Sequence, residues 1–445
     1  MSELHIYLTL GVFAAVILAI AFNLLDMTLA TLLGASVLLV LGILTQQDIL
    51  HSFNNSAGML ALLFGGMIVA RTLRPTGVFE FVGVYFLRAT RGSGKRFLLL
   101  LIALVAPICA FLPNATTVIL VAPIIIRVAI ALDIDFVGPM VLTAIVSNSA
   151  GLLTLVGDPA TFLVGSSIGM SFGEYLSKVS LAGLLALLAV LPVLPWLMPE
   201  VWQARRDLPA DLKAEPLKRP GLCVASLLVL LVMIVLFIFG EGLPAAIVPP
   251  SVAIIAASLA LLVIYAVKVE PIDDVLKDID WKTLIFLICV FWLVEAVIKT
   301  GIVQSLSQLL YDAYGVRQLA VAMVMLFGIA AASSVLANTP VVAASILLVK
   351  GYLVIAELVP EDALGASFTA WPASSLPVFV AMMFGATLGG NSTLIGAAAN
   401  VVSAGICAAN GKPVTFAKFL RYGVPITMAQ LLVSAAYVWV MFKLV

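Results

Sequence analysis

Apolar runs of membrane-spanning length dominate this chain, and polar residues fall mostly in the gaps between them. In the first half the runs lie at about 6–23, 27–45, 57–75, 136–156 and 180–200, and they are continuously apolar rather than alternating. Roughly 20 such residues predict a helix that crosses a bilayer, whereas a barrel strand would alternate over about 10. The first run follows an acidic residue and has no small-x-small cleavage pattern behind it, so it is read as a span and not a removable signal. One segment departs from this pattern. It runs from 97 to 126, between Arg96 and Arg127, and its midpoint falls at Pro113–Asn114. Each arm is about 14 residues, too short to cross, which leaves one long tilted helix or a re-entrant hairpin.

The two halves repeat this pattern. Thr76–Gly77 answers Thr300–Gly301, and Asn114 answers Asn338, both 224 residues apart. "TLVG" at 154–157 answers "TLIG" at 393–396, now 239 apart, and the fifteen extra residues fit in the polar stretch 357–372. "FGEYL" at 172–176 and "FAKFL" at 416–420 close the match. Internal repeats with Gly/Pro-interrupted segments at matching places are a transporter signature. The expected fold class is an all-α polytopic membrane protein of two inverted repeats. Each has five transmembrane helices, one re-entrant helical hairpin and one interrupted helix. Residues 1–200 form the first repeat, 201–220 a cytoplasmic linker and 221–445 the second repeat.

Charge sets the expected orientation. Arg88, Arg91, Lys95 and Arg96 form one basic cluster, and Arg205, Arg206, Lys213, Lys218 and Arg219 another. The positive-inside rule wants both in the cytoplasm, and a hairpin between them, not a full crossing, keeps them on one side. Both termini then lie outside, with 18 Lys/Arg inside and five outside. The second hairpin, about 318–350 with its tip at 337–340, enters from outside.

Composition excludes several classes. Charged residues make up 10% and hydrophobic residues 63% of the chain, against roughly 25% charged in soluble domains. Net charge is zero, so no nucleic-acid partner is expected. The four cysteines have no metal or redox spacing, no cofactor is indicated, and no nucleotide-binding loop is present. The expected partners are the lipid bilayer of a cell (inner) membrane and a small inorganic or organic ion. No enzyme motif appears.

Four irregular places are expected to meet near the membrane midplane: the tips "PNATT" (113–117) and "ANTP" (337–340), and the breaks "TLVGDPA" (154–160) and "GGNSTLIGAAAN" (389–400). Backbone groups freed at a break need partners, and half-helix ends with Asn, Ser and Thr oxygens suit ions. The substrate candidates are Asn114, Thr116, Thr117, Asn338, Thr339, Asn391, Ser392, Thr393 and Asn400. The coupling candidates are Asn148, Gly157, Asp158, Pro159 and Gly396, with Na⁺ placed at Asn114, Gly157 and Asp158. Each has a plainer reading: Asp158 before Pro159 is also an N-cap, the two asparagines are also turn residues, and the 389–393 stretch is also small-residue packing. Ala397 stands where the second half would repeat Asp158, so the acid is not required by the repeat. Arg71 and Glu295 occupy matching positions near span ends and stay outside the proposed site.

"SNSAGLLTLVGDP", "ANTPVVAA" and "GGNSTLIGAAANVV" resemble the ion transporter superfamily, in particular its arsenite permease, NhaD-type antiporter and P-protein branch. The resemblance covers nearly the whole chain. It implies a secondary active carrier driven by Na⁺ or H⁺, with substrate or cation contacts at Asn114, Thr116, Asn338 and Thr339 completed by Gly157, Asp158, Gly396 and Asn400. It also implies a homodimer with an elevator-like transport domain; a separate ATPase subunit serves some arsenite permeases. The related divalent anion–sodium symporters carry Ser-Asn-Thr at both tips. Here the first serine is missing at both, which stands against a dicarboxylate substrate and a two-sodium scheme. Sodium–proton antiport, efflux of neutral arsenous or silicic acid, and a passive channel remain as alternatives.

Overall fold

A computed structural model describes residues 3–21, 24–207, 217–336, 338–365 and 368–444. Among them the regular structure is helical, apart from one isolated bridge between Ser93 and Arg205. The first half comprises α1 (Glu3–Ala21), α2 (Met27–Val40), α3 (Gln46–Leu73), α4 (Val78–Thr90), α5 (Gly94–Cys109), α6 (Asn114–Leu132), α7 (Val137–Ala150), α8 (Pro159–Ser167), α9 (Phe172–Lys178), α10 (Ser180–Leu188), α11 (Leu194–Leu197) and α12 (Pro199–Gln203). The second comprises α13 (Pro220–Phe239), α14 (Pro249–Val267), α15 (Ile272–Lys277), α16 (Trp281–Lys299), α17 (Ile302–Tyr314), α18 (Gln318–Val335), α19 (Asn338–Ile355), α20 (Leu376–Gly389), α21 (Ala398–Ala409) and α22 (Phe416–Leu444). Ten helices among the described residues are long and apolar enough to cross a bilayer, and the chain is a multi-pass membrane protein. Residues 208–216 of the expected linker and Ala337 of the expected second tip lie outside the described residues.

Several expectations are corrected. The arms of the first irregular segment are longer than about 14 residues, 16 in α5 and 19 in α6; the second segment, expected over about 318–350, corresponds to α18 and α19, which end at Ile355. Lys95 and Arg96 stand in the first turn of α5, but Arg127 lies inside α6 and does not mark its end. The run 180–200 includes a span over 180–197, but its helix is interrupted. Pro192, Pro195 and Pro199 divide it, because each lacks an amide hydrogen and crowds the preceding turn. The run 57–75 belongs to a helix that starts at Gln46, where Thr45 and Asp48 form a reciprocal cap. The pattern of apolar runs does not predict α4 and α17; each follows a left-handed glycine, Gly77 (φ 76°) and Gly301 (φ 79°), at which a side chain would be strained.

Small residues bring the interior helices together. At Gly385 and Gly389 on α20 an added Cβ would collide with the α18 backbone at Leu326 and Ala330, so glycine permits the close crossing. Ser333 on α18 donates to the Ala386 carbonyl at 2.6 Å across it. A large buried core runs from α3, α13, α14 and α16 to α18–α20, and a second surrounds α5, α6 and α7. The two meet at the breaks between α7 and α8 and between α20 and α21.

Candidate functional site

Each break frees backbone groups, and side chains take them up. After α7 the chain makes one 3-10 turn at Gly151–Leu153 and then extends to Asp158. The Leu152 carbonyl accepts from the Tyr175 hydroxyl at 2.9 Å, and the Leu153 carbonyl from Ser180 at 2.7 Å. After α20 the Gly390 and Thr393 carbonyls both accept from Asn400 Nδ2, at 2.8 and 2.7 Å. Thr154 donates to Ala110 and Thr393 to Ser334, positions that correspond under the two sequence offsets. Gly157 packs on Gly151 and Gly396 on Gly390, where an added Cβ would stand 2.7 and 2.6 Å from the carbonyl oxygen. Asp158 and Ala397 share extended backbone at φ −139° and −147°.

Asp158 is 2% exposed, and its two oxygens do different things. Oδ2 accepts from the Ala160 amide at 3.0 Å, which is the N-cap role, and from Thr387 Oγ1 at 3.3 Å. Oδ1 accepts from Asn114 Nδ2 and from Asn338 Nδ2, each at 3.4 Å. One carboxylate at the first break thus holds the first residues of both α6 and α19. The cap uses one oxygen and leaves the other to the two helix starts.

A cavity of ≈160 Å³ opens beside this carboxylate. A single water needs roughly 10–15 Å³ by this measure, so a small polyatomic ion fits. Asn114, Thr116, Asn148, Asp158, Asn338 and Thr339 form its polar side, with Gly157 and Pro159. Met59, Leu63 and Met67 of α3 and Phe286 and Leu287 of α16 form an apolar wall opposite, and Asp280 stands at the start of α16. No Lys, Arg or His is among the described lining residues. Asn114 Oδ1 is buried and finds no partner among the described residues.

The other sequence candidates lie behind this surface. Thr117 donates to the Pro113 carbonyl at 3.3 Å and Ser392 to Gly389 at 2.6 Å, each back into its own turn. Asn391 and Asn400 are 0% exposed and engaged with protein, and the Gly396 amide is held by Thr393 Oγ1 at 3.1 Å. Arg71 is removed from the cavity; it pairs with both oxygens of Glu270 at 3.1 and 3.0 Å and with Asp278 at 2.7 Å. Sequence reasoning missed Thr387, although the 239-residue offset from Asn148 lands on it. It also missed Gln430, fully buried on α22, whose signal is a lone amide in an apolar run.

Known proteins of similar sequence and fold fit this picture. A family model described as citrate transporter matches residues 16–370. A Synechocystis protein described as an uncharacterised transporter is 42% identical over 443 residues, covering 99% of each chain. A Mycobacterium bovis transporter is 32% identical over 97% of each. The human P protein is 25% identical over 98% of this chain and 60% of its own length. Among solved structures the fold resembles the YdaH transporter of Alcanivorax borkumensis, with a TM-score of 0.55, 11% identity, and coverage of 88% of this chain and 87% of that one.

Proposed function

The chain belongs to the citrate transporter family, and on that premise we propose that it is a secondary active transporter that moves a small anion or oxyanion together with Na⁺ or H⁺. The observation that carries the reading is the carboxylate of Asp158, which accepts from an asparagine at each of two helix starts far apart in sequence. A buried carboxylate must hold a proton, a cation or strong donors. When a cation or proton takes Asp158 Oδ1, the asparagines are released to hold cargo, and coupling follows from that competition. Among the described residues the cavity brings no cationic side chain to an anion, so the coupling cation supplies the neutralising charge.

The paired geometry at Gly77 and Gly301, at the two breaks and at the two helix starts supports the reading of two inverted repeats with re-entrant hairpins. The apolar wall of α3 and α16 opposite the polar face suits a fixed scaffold past which an elevator-like transport domain slides, in a homodimer. The carboxylates and the lack of cationic lining also favour a second reading, sodium–proton antiport, in which the cation itself is the cargo.

Uptake of labelled citrate and a panel of small oxyanions into proteoliposomes tests the proposal. Saturable accumulation driven by an imposed Na⁺ or pH gradient is the expected result. Flux that never saturates and follows only the substrate gradient would identify a channel instead. Gradient-driven Na⁺–H⁺ exchange without anion uptake selects the second reading.

A further inference from the structure

The orientation of one amide in the cavity is dictated from two directions. Asn148 is 3% exposed. Its Nδ2 donates to Asn400 Oδ1 at 3.1 Å and to Asn391 Oδ1 at 3.0 Å. Neither acceptor is free to turn. Asn400 donates through Nδ2 to the carbonyls of Gly390 and Thr393, and a carbonyl can only accept, so Asn400 must present its oxygen to Asn148. Asn391 donates through Nδ2 to Ser149 Oγ and to Gln430 Oε1, both at 3.0 Å. Ser149 gives its proton to the Ile145 carbonyl at 2.8 Å, and it accepts from Gln430 Nε2 at 2.7 Å. That chain too ends on a backbone carbonyl. Both donors of Asn148 are therefore fixed, and Oδ1, which accepts from no described residue, is the atom left for the cavity that Asn148 lines beside Asp158.

We infer that Gln430, acting with Ser149 and Asn391, is a positioning residue that makes Asn148 an obligate acceptor for the coupling cation. None of the three lines the cavity, and all are buried. The inference rests on the cation-coupled reading above. It gives α22, whose Gln430 is tied into this network, a role in cation selection. With the amide locked, a bare cation meets oxygens from Asn148 and Asp158, while a ligand offering an acceptor meets none of their donors. If Gln430 is removed, Asn391 keeps only Ser149 behind it, and the Ser149 hydroxyl can turn to donate instead, so the Asn391 amide can reverse. Its Nδ2 then faces Asn148, which is caught between a donor and the Asn400 acceptor, and the cavity oxygen is no longer held.

The test is Na⁺-dependent thermal stabilisation of the purified full-length protein, titrated against choline, with wild type, Gln430→Met, Gln430→Glu and Ser149→Ala. Loss of such a supporting partner weakens ion affinity by about 10-fold or more. Gln430→Met and Ser149→Ala are expected to raise the half-saturating Na⁺ concentration by that order. In proteoliposomes the same rise is expected in the Na⁺ concentration for half-maximal transport, with the maximal rate largely kept. Gln430→Glu is expected to stay within about 3-fold of wild type, because a protonated glutamate offers the same donor and acceptor. A purely structural role would lower the melting temperature and maximal rate with the Na⁺ midpoint unchanged, and that outcome overturns the inference. If Gln430→Met does not fold, Ser149→Ala, which loses one hydroxyl, carries the same expectation. A wild type indifferent to Na⁺ overturns the sodium coupling on which the inference rests, and the inference with it, while proton coupling of the transporter stays open to its own pH-gradient test. A Na⁺-dependent wild type beside unchanged variants overturns the inference alone.

Discussion

Asp158 does two jobs with two oxygens, and a change of one atom separates them. Asparagine caps a helix about as well as aspartate, so Asp158→Asn keeps a means of holding the Ala160 amide. It has only one acceptor oxygen, however, and cannot serve both that cap and the asparagines at 114 and 338. It also carries no charge to exchange for a proton or cation. We expect Asp158→Asn to express and fold near normally, to lose gradient-driven accumulation, and to retain some exchange of substrate across the membrane. Accumulation with unchanged pH and Na⁺ dependence in that variant would reduce Asp158 to a cap. Asp158 is legible in the sequence, because an acid between glycine and proline in an apolar run is costly unless something in the membrane interior requires it. The groups that face the acid are not legible there. Thr387, Asn114 and Asn338 reach it from three different helices, and distance across the fold is not written in local composition.

At the scale of elements, the breaks and the helix starts act as one unit. The α6 and α19 helices each begin at an asparagine, and both asparagines converge on one oxygen. Asn114→Ala and Asn338→Ala each remove a donor to a buried carboxylate, a loss on the order of 1–3 kcal/mol. We expect each to cut transport severely while the protein still folds. Because they share an acceptor, the double variant should fall well short of the product of the single effects. Independent, multiplicative losses in proteoliposome uptake would show that the two helix starts do not act through Asp158. The breaks are legible in Gly157–Asp158–Pro159 and in Gly389–Gly390, since glycine and proline announce irregular backbone directly. The arm lengths are not legible from charge. Arg127 lies within α6, where a long arginine side chain reaches polar surroundings without ending the turn pattern. Asn391 and Asn400 stand out in sequence as polar groups at a break, but the other amides that saturate them come from segments distant along the chain.

Across the whole molecule, polar ties outside the core join distant parts of the chain. The loop between α6 and α7 is held by Asp135, which pairs with Lys412 of the α21–α22 connection at 3.1 Å and with Lys418 in the first turn of α22 at 3.7 Å. Burial works against the Asp135 charge, but the Val137 amide and Lys412 outweigh it and hold the carboxyl below its ordinary value. A depressed carboxyl stabilises the fold fully above the unfolded value of about 3.9 and loses that contribution as pH falls through the folded one. For a half-exposed pair the contribution is roughly 0.2–1 kcal/mol. Asp135→Asn should therefore lower the melting temperature slightly at pH 7, with the difference from wild type shrinking towards pH 3; a pH-independent difference would assign the effect to packing. Orientation in the membrane is a property of the same scale. The charge count puts Asp207, at the start of the linker, in the cytoplasm and Lys178, at the end of α9, outside. All four native cysteines are buried, so the background for an impermeant thiol reagent is low. In intact cells Lys178→Cys should label and Asp207→Cys should label only after the membrane is opened. The reverse pattern would invert the molecule. Labelling of both from outside would place an even number of crossings between them where the charge argument needs an odd one, and would overturn the inverted-repeat reading with it.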